Sequence, residues 1–304
     1  MCSKPTVTRS TTEHYSLYLS CFHIVVVVFC EEALYSQYRC TESNNSLDER
    51  ALALVFIDRF VIIELGFFNK RYRRKNLMHV EPGVVNGVKI GLSYLTGATA
   101  IALGLKMIIQ RIITNTSMLV TGLRCLITTI LVFSFFEILP QYPLGVSEVH
   151  FIFGATLFLF FGAGAAAFGL VAGLSLQGFM FAPSDLPQLY INISTLLFPL
   201  FAVSYMSKKI IPPNSTYTDL KYRHVLTLTG LYQGGIIMWV AFWCFYGQGF
   251  NHETFYNVGI FSLAYSTVIG IECLLDVGLL AMLKRYKKKS LPAIFDARLI
   301  SLKG

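Results

Sequence analysis

Six long apolar runs between residues 86 and 283 leave this chain few ways to fold. They can be drawn at 86–107, 118–138, 151–181, 188–206, 224–246 and 258–283, with a short polar loop between each pair. About twenty apolar residues in a helix cross the hydrocarbon core of a bilayer, where the backbone must satisfy its own polar groups. The runs therefore predict an all-α integral membrane protein. A mean hydropathy of +0.58 and 14% charged residues agree with that class. The formal charge of +8 does not imply nucleic acid, because Lys and Arg gather in short loops and at the C-terminus, beside the apolar runs.

Loop charge sets the path of the chain. The segments "QYPLGVSEVH", "APSDLP" and "YGQGFNHETFYN" carry no Lys or Arg, whereas "SKKIIPPNSTYTDLKYRH" and the tail "KRYKKK" are rich in them. Basic loops stay in the cytoplasm, so the first group faces outward and the second inward. The run 151–181 has 31 residues, with Gly162 and Gly164 near its middle, and is either one long tilted helix or two short ones. Its flanks are both free of basic residues, so the chain must leave and return to one face. Two crossings, or a re-entrant pair, are required, and a short-helix hairpin is expected at about 151–181. That gives about seven transmembrane helices from residue 78 onward, with the C-terminus cytoplasmic and Met78 outside. Lys106 and Arg111 follow the first helix, as an inward loop should.

Residues 1–77 do not fit this scheme. The run "CFHIVVVVFC" is short, the patch "LALVFIDRFVIIELGFF" is interrupted by Asp58, Arg59 and Glu64, and "NKRYRRKN" would place basic residues just before the first helix on the outer face. The expectation is that 1–77 is a leader or an over-extended start absent from the mature protein, and that 78–304 is a multi-pass permease or substrate-binding domain.

A chain that starts at Met78 begins "MHVEPGVVNG". A free amine, the next peptide nitrogen and the imidazole of a His at the second position can wrap a divalent ion in fused chelate rings. A fourth nitrogen completes a tetragonal or square-planar set, the geometry of Ni(II) and Cu(II) rather than tetrahedral zinc. His150 is the candidate for it, since it lies at the outer mouth of the third run and Met78 at that of the first. The alternative for His150 is an interfacial side chain anchoring a helix end. The seven cysteines include no CxxC pair, and no GK dipeptide for a phosphate-binding loop occurs.

The opening "MHVEPGVVNG" with the later "EVHFIFGATLFLFFGAGAAAFGLVAGLSLQGFMF" resembles the CbiM/NikM family, the substrate-specific membrane component of energy-coupling-factor cobalt and nickel ABC transporters. The resemblance covers about Met78 to the C-terminus. It implies a seven-helix protein of the inner membrane that is no enzyme, binds Co(II) or Ni(II) as transported substrate without an organic cofactor, and uses Met78, His79 and His150 as metal ligands. Asn192, in "LYINIS", stands where the family carries an Asn-rich run. The implied partners are a transmembrane coupling subunit and cytoplasmic ATPase subunits, with or without a small accessory membrane subunit.

Other polar residues in the runs have packing explanations. Glu272 and Asp276 lie four residues apart on one face of the last helix, at a depth matching Arg124, which predicts a structural ion pair. Gln177, Asn192 and Gln233 are expected to hydrogen-bond between helices, and Gly169-x-x-x-Gly173 to permit close helix packing. His252 reads as a solvated loop residue, and His224 as one at a cytoplasmic helix end. The alternative function is a membrane redox protein holding haem through His150 and another His. An intramembrane hydrolase built on Glu272 and Asp276 lacks any catalytic motif around them.

Overall fold

A computed structural model describes residues 83–285, apart from 115, 116, 145, 213, 214 and 216. The leader 1–77, Met78 and His79 lie outside the described residues. In chain order, one 3₁₀ turn (Gly87–Ile90) leads into α1 (Gly91–Thr114), then α2 (Met118–Glu137), β1 (Gln141–Leu144), β2 (Ser147–His150), α3 (Gly154–Phe161) and α4 (Ala163–Met180). A 3₁₀ segment (Pro183–Gln188) precedes α5 (Leu189–Ile210), another (Tyr217–Asp219) precedes α6 (Tyr222–Gln248), and α7 (His252–Arg285) ends the described chain.

Among the described residues, every helix but α3 is long and apolar enough to cross a membrane, which makes six spans. Their faces divide as lipid requires. On α1, Ala100 is buried while Leu95, Ile109 and Ile113 are exposed, and on α7 Val268 is buried while Leu263 and Leu274 are exposed. Helices apolar all round belong where one side meets protein and the other meets lipid.

The region 151–181 is two helices, and they are unequal. Gly162 ends α3 and starts α4 at φ 85° and ψ 164°, a backbone state essentially reserved for glycine. With eight residues, α3 is about 12 Å long and cannot span a core of about 30 Å. It follows β2 and the turn 151–153 and is not among the six spans. The strands are a departure from expectation, since "QYPLGVSEVH" reads as an exposed polar loop. Irregular backbone at this depth survives because protein, not lipid, surrounds it: all four β2 residues are buried.

Burying the start of α3 leaves its first N–H groups without water, and no side chain of its own caps it. Glu272 of α7 does so instead. Its Oε1 accepts from the backbone N–H of Ala155 at 3.1 Å and of Thr156 at 3.4 Å. Asp276, one turn further along α7, accepts from the hydroxyls of Thr156 and Thr229, each at 2.6 Å. The expected ion pair with Arg124 is corrected accordingly: the partners of Asp276 are two hydroxyl groups. Matching depth alone does not fix which helix faces meet.

Helices α2 and α4 pack through glycines. A Cβ at Gly169 would lie 2.5 Å from the Cβ of Thr128, and one at Gly173 would lie 2.7 Å from Cγ1 of Val132. The close approach lets the Thr128 hydroxyl donate to the carbonyl of Ala165 at 2.8 Å. We predict that Gly169→Val costs at least the 1–3 kcal/mol of an ordinary overpacked site, roughly, because backbone stands in the way. A clear fall in the thermal unfolding midpoint in detergent checks it; an unchanged midpoint would contradict the packing.

Candidate metal centre

The site is built on the hairpin. β1 and β2 pair antiparallel in the register Gln141↔His150 to Leu144↔Ser147. Alternate residues of a strand share a face, so Glu148 and His150 point the same way, and Ile152 continues that line just past the strand. Two tight turns then redirect the chain into α3: Ile152 N–H donates to His150 O at 3.1 Å, and Gly154 N–H to Ile152 O at 3.0 Å.

His150 is only 2% exposed. Its Nε2 lies 3.4 Å from Oε2 of Glu148, and its ring meets that of Phe136 edge-on at 5.2 Å. A carboxylate behind a histidine is the usual means of orienting a metal ligand, and Glu148 stands in that place.

These residues face a cavity of about 30 Å³, walled by Asn192 and Thr195 of α5, Val240 of α6 and Tyr265 of α7. A single water needs about 10–15 Å³ of such space, so the cavity holds an ion or one to two waters. A porphyrin does not fit there. Among the described residues the other histidines are His224, in the first turn of α6, and His252, at the start of α7, and neither lines the cavity.

The segment leading into α1 is tucked in directly above. Val84 and Val85 are buried, and the Val85 carbonyl accepts from Nε2 of Gln188 at 3.3 Å. Val84 O occupies the space where Gly247 of α6 would carry a Cβ, 2.0 Å from that position. Gln188 stands about one turn before Asn192 on α5, and Gly247 stands two turns beyond Val240 on α6. Both neighbours of the lead-in segment thus connect down one helix face to the cavity. Lys89 fixes the same end, donating to the Gly247 carbonyl at 3.0 Å and so capping the C-terminus of α6. Among the described residues, the loops at this end of the bundle otherwise carry no Lys or Arg.

Of the residues expected to bind metal, His150 lies in the cavity, while Met78 and His79 are outside the described residues. Asn192 joins His150. Gln233 bonds between elements as expected, donating to Ile152 O at 2.8 Å and to Glu272, and Gln177 hydrogen-bonds Glu137. Glu148 was missed. Its signal is the spacing Glu-x-His, which puts both side chains on one face only if the segment is a strand. Among the described residues, no group of three or more His, Cys, Asp or Glu comes together.

The family described as the cobalt uptake substrate-specific transmembrane region, CbiM, matches residues 79–290. Neither the curated proteins nor the solved structures compared with this sequence gave a match. The family match runs over well more than half of the sequence and takes in the hairpin, all seven helices and the cavity around His150, so this multi-pass membrane protein belongs to the CbiM family of cobalt uptake transmembrane components.

Proposed function

We propose that the protein captures Co(II) or Ni(II) at the outer end of the bundle and releases it inward as one subunit of an energy-coupling-factor type ABC transporter. Four nitrogens form the capture site: the amine of Met78, the peptide and imidazole nitrogens of His79, and the imidazole of His150. The mature chain begins at Met78. It lies in the inner membrane of the cell with its N-terminus outside and its C-terminus in the cytoplasm. A transmembrane coupling subunit and cytoplasmic ATPases drive the cycle, with or without a small accessory membrane subunit.

One observation carries this reading: a buried histidine faces an ion-sized cavity directly beneath the tucked segment Val84–Val85. Reach is sufficient. Residues 78–83 extend to about 20 Å, whereas the two helix faces put the cavity about 5–10 Å below Val84. The family match begins at His79, which agrees with a functional region that starts there. Nitrogen ligands suit cobalt and nickel, and nothing in the cavity favours the haem alternative.

Two substitutions test the capture site. His79→Ala should abolish cobalt uptake by the assembled transporter and lower the cobalt affinity of the purified subunit by at least about 100-fold, more than the loss of an outer partner of a ligating histidine. Gly247→Ala touches no ligand, yet its new Cβ must displace Val84. It should weaken cobalt binding by about tenfold or more, since misplaced ligand-bearing backbone loses chelate geometry. Isothermal titration with cobalt reads both. Wild-type affinity in His79→Ala would sink the proposal.

A further inference from the structure

Below the His150 cavity, the polar groups do not stop. Gln233 links the Ile152 carbonyl to Glu272, Glu272 holds the start of α3, Thr156 bridges Glu272 and Asp276, and Thr229 closes on Asp276. Glu272, Asp276, Gln233 and Thr229 are all fully buried. The two carboxylates share one helix face, and every group that bonds them is a neutral N–H or O–H donor. Among the described residues they have no cationic partner. Two formal negative charges in a low-dielectric interior are costly without one, and such groups within a membrane mark ion pathways.

A second set of atoms points to the missing partner. The Oε1 of Gln233 is buried without a hydrogen bond, although its own amide nitrogen holds that side chain against Glu272. The hydroxyls of Tyr232 and Tyr265 are likewise buried and unbonded. Tyr232 is wholly enclosed against Gly154, next to the N–H that Glu272 accepts, and both tyrosines lie within electrostatic reach of Glu272. Tyr265 also lines the His150 cavity. Unbonded oxygen atoms around an uncompensated carboxylate pair are the chemistry of a divalent cation site, and Tyr265 and Gln233 connect it to the cavity above.

We propose that Glu272 and Asp276, with Oε1 of Gln233 and the hydroxyls of Thr156 and Thr229, form a second station for the transported divalent cation, between its capture site and the opposite membrane face. This rests on the capture site proposed at His150. An all-oxygen set binds cobalt or nickel more weakly than four nitrogens do. The ion thus passes from a site that selects it to one that lets it go, as conduction requires.

The test uses Co(II) as the probe, on the full chain and on the assembled transporter in vesicles. The full chain should bind one cobalt tightly and a second weakly. His150→Ala should lose the tight equivalent and keep the weak one, whereas His150→Ala with Glu272→Gln and Asp276→Asn should lose both. Tight binding retained in His150→Ala would fault the capture site and not the second station. In the transporter, Glu272→Gln with Asp276→Asn should cut ATP-driven uptake at least tenfold while the tight dissociation constant changes less than twofold. Unchanged uptake overturns the proposal. So does a variant that fails to fold, if the intact protein also shows no weak second equivalent, because the carboxylates then serve only to cap α3.

Discussion

His150→Ala should remove high-affinity cobalt binding while leaving a folded, membrane-inserted protein. The loss should exceed about 100-fold, because a ligand goes rather than one of its outer partners. Insertion should persist, since His150 sits at the end of β2, and the six long helices do not depend on it. Glu148→Gln gives the graded comparison. It keeps the imidazole but weakens the contact that orients it, so a loss of about 10–100-fold is expected. Equal effects from the two substitutions would mean that the hairpin, and not the imidazole, is what binding needs.

The second large effect concerns the nitrogen of Met78. If Leu77 stays attached, that nitrogen is an amide with little basicity, and the chelate loses one of its four donors. Chain beginning at Met78 should bind cobalt at least about 100-fold more tightly than chain carrying the leader, by analogy with the other ligands. pH separates the two further. An α-amine titrates near 7.7–8.0 and an exposed imidazole near 6.5, and a metal competes with each proton. Affinity should fall by roughly 10³-fold or more between pH 8 and pH 5, most of it through the amine. Titration of cobalt affinity against pH checks this, and a flat profile would remove the amine from the ligand set.

Much of this was legible in the residues. Apolar runs gave the spanning helices, because a bilayer imposes a length and a hydropathy that few other environments do. Gly162 marked the break in the third run, since a φ of 85° with extended ψ excludes side chains. Loop charge required the chain to leave and return to one face between 151 and 181, although it could not say that a strand and an eight-residue helix would precede Gly162. The β-hairpin stayed hidden because four-residue strands carry too little pattern to stand out from a polar loop, and Glu148 stayed hidden with it. The partners of Glu272 and Asp276 were beyond reach for another reason. Spacing on one helix gives a face and a depth, but which neighbour fills that face depends on helix rotation, and here the start of α3 took the place assigned to Arg124.

A cobalt site assembled from the leading amine of one segment and a buried imidazole of another is the claim on which the rest depends, and Cu(II) reports on it, because copper takes the same tetragonal nitrogen set and is paramagnetic. Protein loaded with one Cu(II) and grown with ¹⁵N-methionine should show, by pulsed electron paramagnetic resonance, one directly bound nitrogen changed from ¹⁴N to ¹⁵N, and the His150→Ala protein should lose a separate imidazole coupling. An identical spectrum with and without the methionine label, at one bound copper per chain, would contradict the account.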